Sequence, residues 1–205
     1  MADINRAMMT LYSDPLCPFS HRTRIVLHEK GIQADIEDIV DGHLPEDVAA
    51  SNPYGTGPTL VDRDLVLFDS NTIISYLDER FLQPALMPTD PISRAKTRLM
   101  LHRFDKDWFA HWPTLSGTEK GKTAKARKMI QQDLTVLAPL FEQSEFFMSK
   151  EFSLLDCSLA PLLWRLPMLN IKLPTKAKAV EDYAKRLFSR DSFQASLSSL
   201  ERNIR

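Results

Sequence analysis

Cysteine is scarce in this sequence, and long apolar runs are missing. Only Cys17 and Cys157 occur among 205 residues, which excludes a disulfide scaffold and a cysteine-based zinc site. No stretch approaches the ~20 apolar residues that span a bilayer, and residues 1–14 lack the apolar core of a secretory signal. We therefore expect a protein of the reducing cytoplasm that has no membrane-bound part.

An excess of charge of either sign is also missing. The 26 basic and 27 acidic residues leave a formal charge of -1, so no overall field attracts a nucleic acid backbone or an anionic membrane. The five histidines show no i, i+4 pair and no nearby cysteine pair, so we predict no metal site. With 43% hydrophobic and 26% charged residues, the chain is expected to fold around a core.

Strand and helix patterns alternate over residues 8–81. The elements are a strand at 8–12, a helix at 20–30, a strand through Ile36 and Ile39-Val40, a short helix from Pro45, a hairpin around Asp62-Arg63-Asp64, and a helix whose apolar stripe includes Ile73 and Phe81. This β-α-β-α-β-β-α order resembles the thioredoxin-like domain of glutathione transferases. A right-handed crossover would make the first two strands parallel.

Proline marks a domain boundary. Pro84, Pro88 and Pro91 fall within residues 82–91, where helix cannot run through, so we predict a linker there. Residues 92–205 show only helical periodicity. The predicted helices are a long one opened by Pro91, a second that Thr118 could cap and that passes through Phe141, and others near 154–166, 176–188 and after Asp191. The predicted class is α/β plus all-α.

A Ser-x-x-Asp box precedes the most apolar of these helices. Ser153 can accept a hydrogen bond from a free amide of the first helical turn, while Asp156 reaches back to the Ser153 amide. The pattern predicts a structural capping box, and it resembles the buried box of transferase-fold helical domains.

The amino-acid sequence of the whole chain indicates a narrower family than the capping box does. The runs Phe-Ser-Leu-Leu-Asp-Cys at 152–157, Ala-Pro-Leu-Leu-Trp-Arg-Leu-Pro at 160–167 and Tyr-Leu-Asp-Glu-Arg-Phe at 76–81 resemble the stringent starvation protein A family of proteobacteria. The resemblance spans about residues 8–205. It implies a homodimeric, glutathione-transferase-like protein that binds RNA polymerase holoenzyme as a transcription regulator in stress and stationary phase, generally without transferase activity.

The family resemblance also implies a partner-binding segment. Its polymerase-facing pocket has a Pro-His-Pro segment just after the last helix of the first domain, where this chain has Leu82, Gln83 and Pro84. Only Pro84 matches. Asp90 stands where the family would have a tyrosine. These four residues are the implied contacts for RNA polymerase.

A second set of residues resembles a glutathione site and leaves an enzyme as the alternative. Cys17-Pro18-Phe19-Ser20 lies where the first strand passes into the first helix, and a helix N-terminus lowers the pKa of a thiol. The motif resembles monothiol glutaredoxins and cysteine-type transferases, in which the cysteine forms a mixed disulfide with glutathione. Ser20 replaces the second cysteine and excludes a dithiol cycle. The simpler interpretation is an inert, partly buried thiol at Cys17.

Two further positions complete that resemblance. Pro58 stands where the thioredoxin-like fold carries a cis-proline beside glutathione, although a simple turn accounts for it too. Asp69 and Ser70 open a helix whose free amides could receive the γ-glutamyl carboxylate, while an ordinary N-cap is the simpler interpretation. The alternative function is therefore a glutathione-dependent thiol transferase that uses Cys17, with Phe19, Pro58, Asp69 and Ser70 in the glutathione site.

Overall fold

The structure, a computed structural model, describes residues 9–39, 42–117 and 119–205. The chain divides into two compact units: one runs up to Pro84 and includes Ser192–Asn203, and the other comprises Ala85–Asp191 with Ile204–Arg205. The sequence-based division assigned all of 92–205 to the helical domain and 82–91 to a linker. The structure differs from it by placing 192–203 with the first unit.

A four-stranded sheet forms the centre of the first unit. Its strands are β1 (Met9–Ser13), β2 (Ala34–Asp38), β3 (Thr59–Asp62) and β4 (Leu65–Phe68). They lie in the order β2-β1-β3-β4, with β1 parallel to β2 and antiparallel to β3, and with β3 and β4 paired as a hairpin. The predicted thioredoxin-like arrangement is confirmed. The predicted strand residues Met8 and Val40 lie outside the described residues.

Three helices accompany this sheet, namely α1 (Pro18–Glu29), α2 (Glu46–Ala49) and α3 (Ser70–Arg80). Helix α1 begins two residues earlier than predicted because Pro18 occupies its first turn, where a missing amide hydrogen does no harm. Phe81 was predicted on the α3 stripe, but it has extended backbone dihedrals and ends the helix. Helices α1 and α3 pack against each other.

The second unit is helical throughout its longer elements. These are α4 (Pro91–Asp107), α5 (Trp112–Ser116), α6 (Lys120–Leu137), α7 (Leu154–Arg165) and α8 (Lys178–Phe188). Pro91 opens α4 as predicted, whereas the predicted cap Thr118 lies outside the described residues. Phe141 leaves α6 for a short 3-10 turn and packs against Phe147 and Tyr183 in the core. In the described part of the chain, no helix is both long and apolar enough to cross a membrane.

The start of α7 is buried and fully hydrogen-bonded. Ser153 is the N-cap, and its hydroxyl accepts from the Leu155 amide at 3.2 Å. The Asp156 carboxylate accepts from the amides of Ser153 at 2.8 Å and Phe147 at 2.9 Å and from the Tyr183 hydroxyl at 2.6 Å. Burial raises the pKa of Asp156, and these hydrogen bonds oppose the rise. The capping box thus connects α7, α8 and the backbone at Phe147 within the core.

The C-terminal segment returns to α1 through buried polar contacts. It holds α9 (Asp191–Ser196) and α10 (Ser199–Arg202). The guanidinium of Arg24 donates to Glu201 Oε2 at 2.6 Å and to the Ser196 carbonyl at 2.8 Å, and both charged groups are buried. Removing one partner of a buried ion pair typically costs about 3 to 5 kcal/mol. The contact therefore ties this segment to the first unit, although Arg24 and Glu201 are 177 positions apart in the sequence.

Candidate functional site

A cleft of about 450 Å³ opens in the first unit. Its lining comprises Phe19, Tyr54, Thr56, Gly57, Pro58, Phe68, Asp69 and Ser70. The list includes four of the five residues predicted for a glutathione site. The fifth, Cys17, is not among the lining residues. We call this space the first-unit cleft.

Cys17 lies at the N-cap of α1, half-buried and not joined to Cys157 by a disulfide. The preceding loop is closed by Asp14, whose carboxylate accepts from the amides of Leu16 at 2.8 Å and Cys17 at 3.1 Å. Ser20 is fully buried, and its hydroxyl accepts from the Asp14 amide at 3.1 Å. The residue at the second-cysteine position therefore has a structural task, which is to fix the loop that presents Cys17.

The Gly57–Pro58 peptide bond is cis. Asn52 supports the loop before it, because its buried side-chain amide donates to the Thr56 carbonyl at 2.9 Å and to the Thr59 hydroxyl at 2.8 Å. A Cβ atom at Gly57 would lie 2.6 Å from Cδ1 of Ile39. This close approach explains why a glycine precedes the proline at the wall of the cleft.

Asp69 and Ser70 contribute to the lining of the cleft from the N-terminus of α3. Asp69 has a φ of 73°, a left-handed conformation that Asp tolerates better than most residues. Its carboxylate accepts from the Thr72 amide at 2.9 Å and from the Thr72 hydroxyl at 3.1 Å, as an N-cap does. Ser70 is buried, so its placement depends on the backbone of this turn.

Sequence reasoning missed Tyr54, Thr56 and Phe68 in the lining of the first-unit cleft, and Arg22 beside it. Tyr54 and Phe68 meet edge to face, with ring centroids 5.6 Å apart, and together form an aromatic wall. Arg22 is fully buried, lies 5.2 Å from the ring of Phe19 and donates to Asn71 in the first turn of α3 at 2.8 Å. Phe19 and Arg22 are three residues apart within α1, but the predicted helix began only at residue 20, so helical spacing did not connect them. Arg22 brings positive charge to the end of α3 that already favours anions.

The predicted partner-binding residues divide between the two units. Leu82, Gln83 and Pro84, which we call the 82–84 segment, belong to the first unit, and Asp90 belongs to the second. The Leu82 side chain is 73% exposed and the Gln83–Pro84 peptide bond is cis. Asp90 is the exposed N-cap of α4, and its hydrogen bond from the Ser93 amide at 2.8 Å lowers its pKa.

A buried ion pair holds the end of the 82–84 segment. The ammonium of Lys30 contacts Asp78 Oδ1 at 2.7 Å and donates to the Pro84 carbonyl at 2.5 Å. Lys30 and Asp78 are both buried. Because the C-cap of α1 and helix α3 supply these two side chains, the packed core fixes the exit of the segment while Leu82 stays at the surface.

The chain matches two family models, the glutathione S-transferase N-terminal domain over residues 16–80 and the glutathione S-transferase C-terminal domain over residues 89–191. A stringent starvation protein A homolog from Coxiella burnetii is 43% identical over 203 residues, which are 98% of this chain and 97% of that protein. One from Pasteurella multocida is 47% identical over 196 residues, 94% and 91% of the two chains. The solved structure of glutathione transferase Omega 3C from Trametes versicolor superposes with a TM-score of 0.81 at 25% identity, covering 93% of this chain and 84% of that one.

Proposed function

The chain belongs to the stringent starvation protein A homologues, which share the fold of the glutathione S-transferases, and from this we propose that it is an RNA polymerase-associated transcription regulator. The observation that carries the proposal is the similarity to proteins of that name over nearly the whole of both chains. In this proposal the protein acts in the cytoplasm during stress and stationary phase. It binds RNA polymerase holoenzyme through protein contacts and makes no direct contact with nucleic acid.

The 82–84 segment supports this role as a preformed contact surface. The exposed Leu82 offers apolar area in a segment whose end is held in place by the Lys30 contact with the Pro84 carbonyl. Binding then requires little ordering of the segment, and the ordering of side chains and loops is one of the main losses in association. Asp90 remains a proposed contact in the second unit.

The test of the proposed function is co-elution with purified RNA polymerase holoenzyme from a proteobacterium in size-exclusion chromatography. We expect the protein to move to the elution volume of the holoenzyme, and a tenfold excess of untagged protein to displace a tagged sample. Elution of the two components as separate peaks at micromolar concentrations of each would contradict the proposal.

The proposed regulator is a homodimer. Ile92 and Leu99 support this. They lie seven residues apart on one face of α4, and their side chains are 70% and 59% exposed. Such exposure is unusual for two large apolar side chains on one helix face. Following the family resemblance, the first domain of one chain would face the helical domain of the other. Light scattering should give about twice the 23.4 kDa of one chain, and Leu99→Glu should shift the mass toward the monomer.

A glutathione-dependent thiol transferase is the second candidate, and the first-unit cleft is the observation that favours it. In this reaction the Cys17 thiolate attacks the glutathione sulfur of a protein mixed disulfide, so that a Cys17–glutathione bond forms while the protein thiolate leaves. The thiolate of a second glutathione then attacks the bound glutathione sulfur, which releases oxidised glutathione and restores Cys17. The second glutathione is necessary because Ser20 has no thiol.

The cleft residues have defined parts in this alternative. Pro58 would hold the backbone of glutathione, while Ser70 and the amides at the start of α3 would receive its γ-glutamyl carboxylate. Phe19 would pack against the peptide. An assay with glutathione and a small mixed disulfide separates the two candidates: the regulator proposal predicts a rate for wild type equal to that of Cys17→Ser. A wild-type rate well above that variant, together with no retention of polymerase, would make the enzyme the better account.

A further inference from the structure

A second cleft lies wholly within the second unit, beside the C-terminal end of α7 and one face of α8. Its volume of about 480 Å³ falls within the ~300–1,000 Å³ typical of small-molecule sites. Its floor is apolar, since Leu163, Leu166, Ile171, Val180 and Ala184 contribute to the lining and are all buried. We call this space the second-unit cleft.

The guanidinium of Arg205 is held at this cleft by three contacts. It lies over the ring of Phe188 at 4.5 Å and over that of Trp164 at 5.2 Å, and it donates to the Leu163 carbonyl at 3.4 Å. Its partial burial lowers the pKa of Arg205, which nevertheless stays charged at neutral pH. Because these contacts already fix the planar group, little side-chain freedom remains to be lost when the group binds a carboxylate.

The remaining charges of the lining favour an anion. Lys172 makes no ion pair within residues 9–39, 42–117 and 119–205, whereas the Lys185 ammonium contacts Asp182 at 3.2 Å. Glu181 is the only acidic residue in the described lining, and it attracts Arg205. The lining therefore holds three cations and one carboxylate, and one of the three cations, Lys185, is already paired with Asp182. Lys172 is therefore the cation that can act together with Arg205 as a second hydrogen-bond donor to a bound carboxylate.

We infer that the second-unit cleft binds an amphipathic carboxylate of the medium-chain fatty acid class. The apolar chain would lie on the buried floor and exclude water from it, while the carboxylate would accept from Arg205 and Lys172. A small polar anion would leave the floor unfilled, and a neutral apolar molecule would offer Arg205 and Lys172 no carboxylate to bind. The inference does not depend on polymerase or glutathione binding.

Isothermal titration with decanoate, below its micelle concentration, tests the inference. Decanol and acetate serve as matched probes, because the first keeps the chain without the charge and the second keeps the charge without the chain. We expect saturable binding of one decanoate per chain, with decanol and acetate each weaker by about tenfold or more. The absence of saturable decanoate binding, or equal binding of decanol, would overturn the inference.

Three substitutions locate the site. Lys172→Gln and Arg205→Gln should each weaken decanoate binding by about tenfold, the usual loss when one charged hydrogen-bond partner is removed. Lys176→Gln is the control, because Lys176 is an exposed lysine of the same segment that does not line this cleft, and it should leave binding unchanged. Circular dichroism melts check folding. If both Lys172→Gln and Arg205→Gln bind as the wild type does, the assigned site is wrong.

Discussion

The N-termini of α7 and α3 use the same capping chemistry in opposite surroundings. At α7, Asp156 is fully buried and four donors, two backbone amides and two hydroxyls, converge on its carboxylate. At α3, Asp69 caps with a single side chain, is exposed, and lies beside a cleft. A capping motif alone therefore does not distinguish a purely structural helix start from one that can bind a ligand. Burial distinguishes the two cases, because a buried helix start whose backbone amides are all hydrogen-bonded has no donors left for a ligand.

The largest expected effect is at the buried helix start. Asp156→Ala should lower the free energy of unfolding by roughly 3 to 5 kcal/mol, because the Phe147 amide and the Tyr183 hydroxyl each lose a buried acceptor at about 1 to 3 kcal/mol apiece. Chemical denaturation measures it. Asp182→Ala is the control, since that carboxylate makes only an exposed i, i+3 ion pair and should change stability by less than about 1 kcal/mol. Similar losses in both variants would contradict the role given to the buried hydrogen bonds of Asp156.

The two caps themselves should differ less. Ser153→Ala should destabilise by about 2 kcal/mol and Asp69→Ala by about 1 kcal/mol, the upper and middle parts of the range for N-caps, because only the first removes a hydroxyl from a buried network. Thermal melts of the two variants provide the comparison. Asp69→Gly should be nearer to the wild type than Asp69→Ala, since glycine adopts the positive φ of 73° without strain. An Asp69→Ala loss as large as that of Ser153→Ala would contradict the role given to burial.

The smallest effect concerns the wall of the first-unit cleft. Gly57→Ala should cost about 1 kcal/mol, because the new Cβ would lie 2.6 Å from Cδ1 of Ile39 and the neighbouring side chain must move. Ile39→Val deletes that atom, so Gly57→Ala should cost less in the Ile39→Val background. A double-mutant cycle by denaturation measures the coupling. A coupling of zero would mean that Ile39 does not restrict this position.

Local patterns predicted the local parts of this molecule and not the long-range ones. The β1–β2 crossover, the β3–β4 hairpin and the opening of α4 at Pro91 depend on neighbours in sequence, and each was predicted. By contrast, Arg24 and Glu201 are separated by 177 positions, and no periodicity connects them. For that reason the return of residues 192–203 to the first unit was not predicted.

The candidate site likewise contains some residues that were predicted from the sequence and others that were not. Phe19, Pro58, Asp69 and Ser70 were singled out because the fold resemblance assigns their positions, and the structure gathers them around one cleft. Cys17 does not line it, although the motif around Cys17 was the most prominent chemical signal in the sequence. The buried Arg22 was missed because a charged residue on a helix is normally interpreted as exposed.

We propose that this fold serves as a polymerase-binding scaffold that needs the 82–84 segment and does not need the Cys17 thiol. The most direct test of this claim is the affinity of RNA polymerase holoenzyme for wild type, for Cys17→Ser, and for the triple alanine variant of Leu82, Gln83 and Pro84, with circular dichroism as the folding control. We predict that Cys17→Ser binds within about twofold of wild type, because a half-buried thiol offers little contact area. The triple variant should bind more weakly by about tenfold or more, the loss expected when a central apolar anchor is removed. Wild-type affinity in the triple variant, or loss of binding in Cys17→Ser, would contradict the claim.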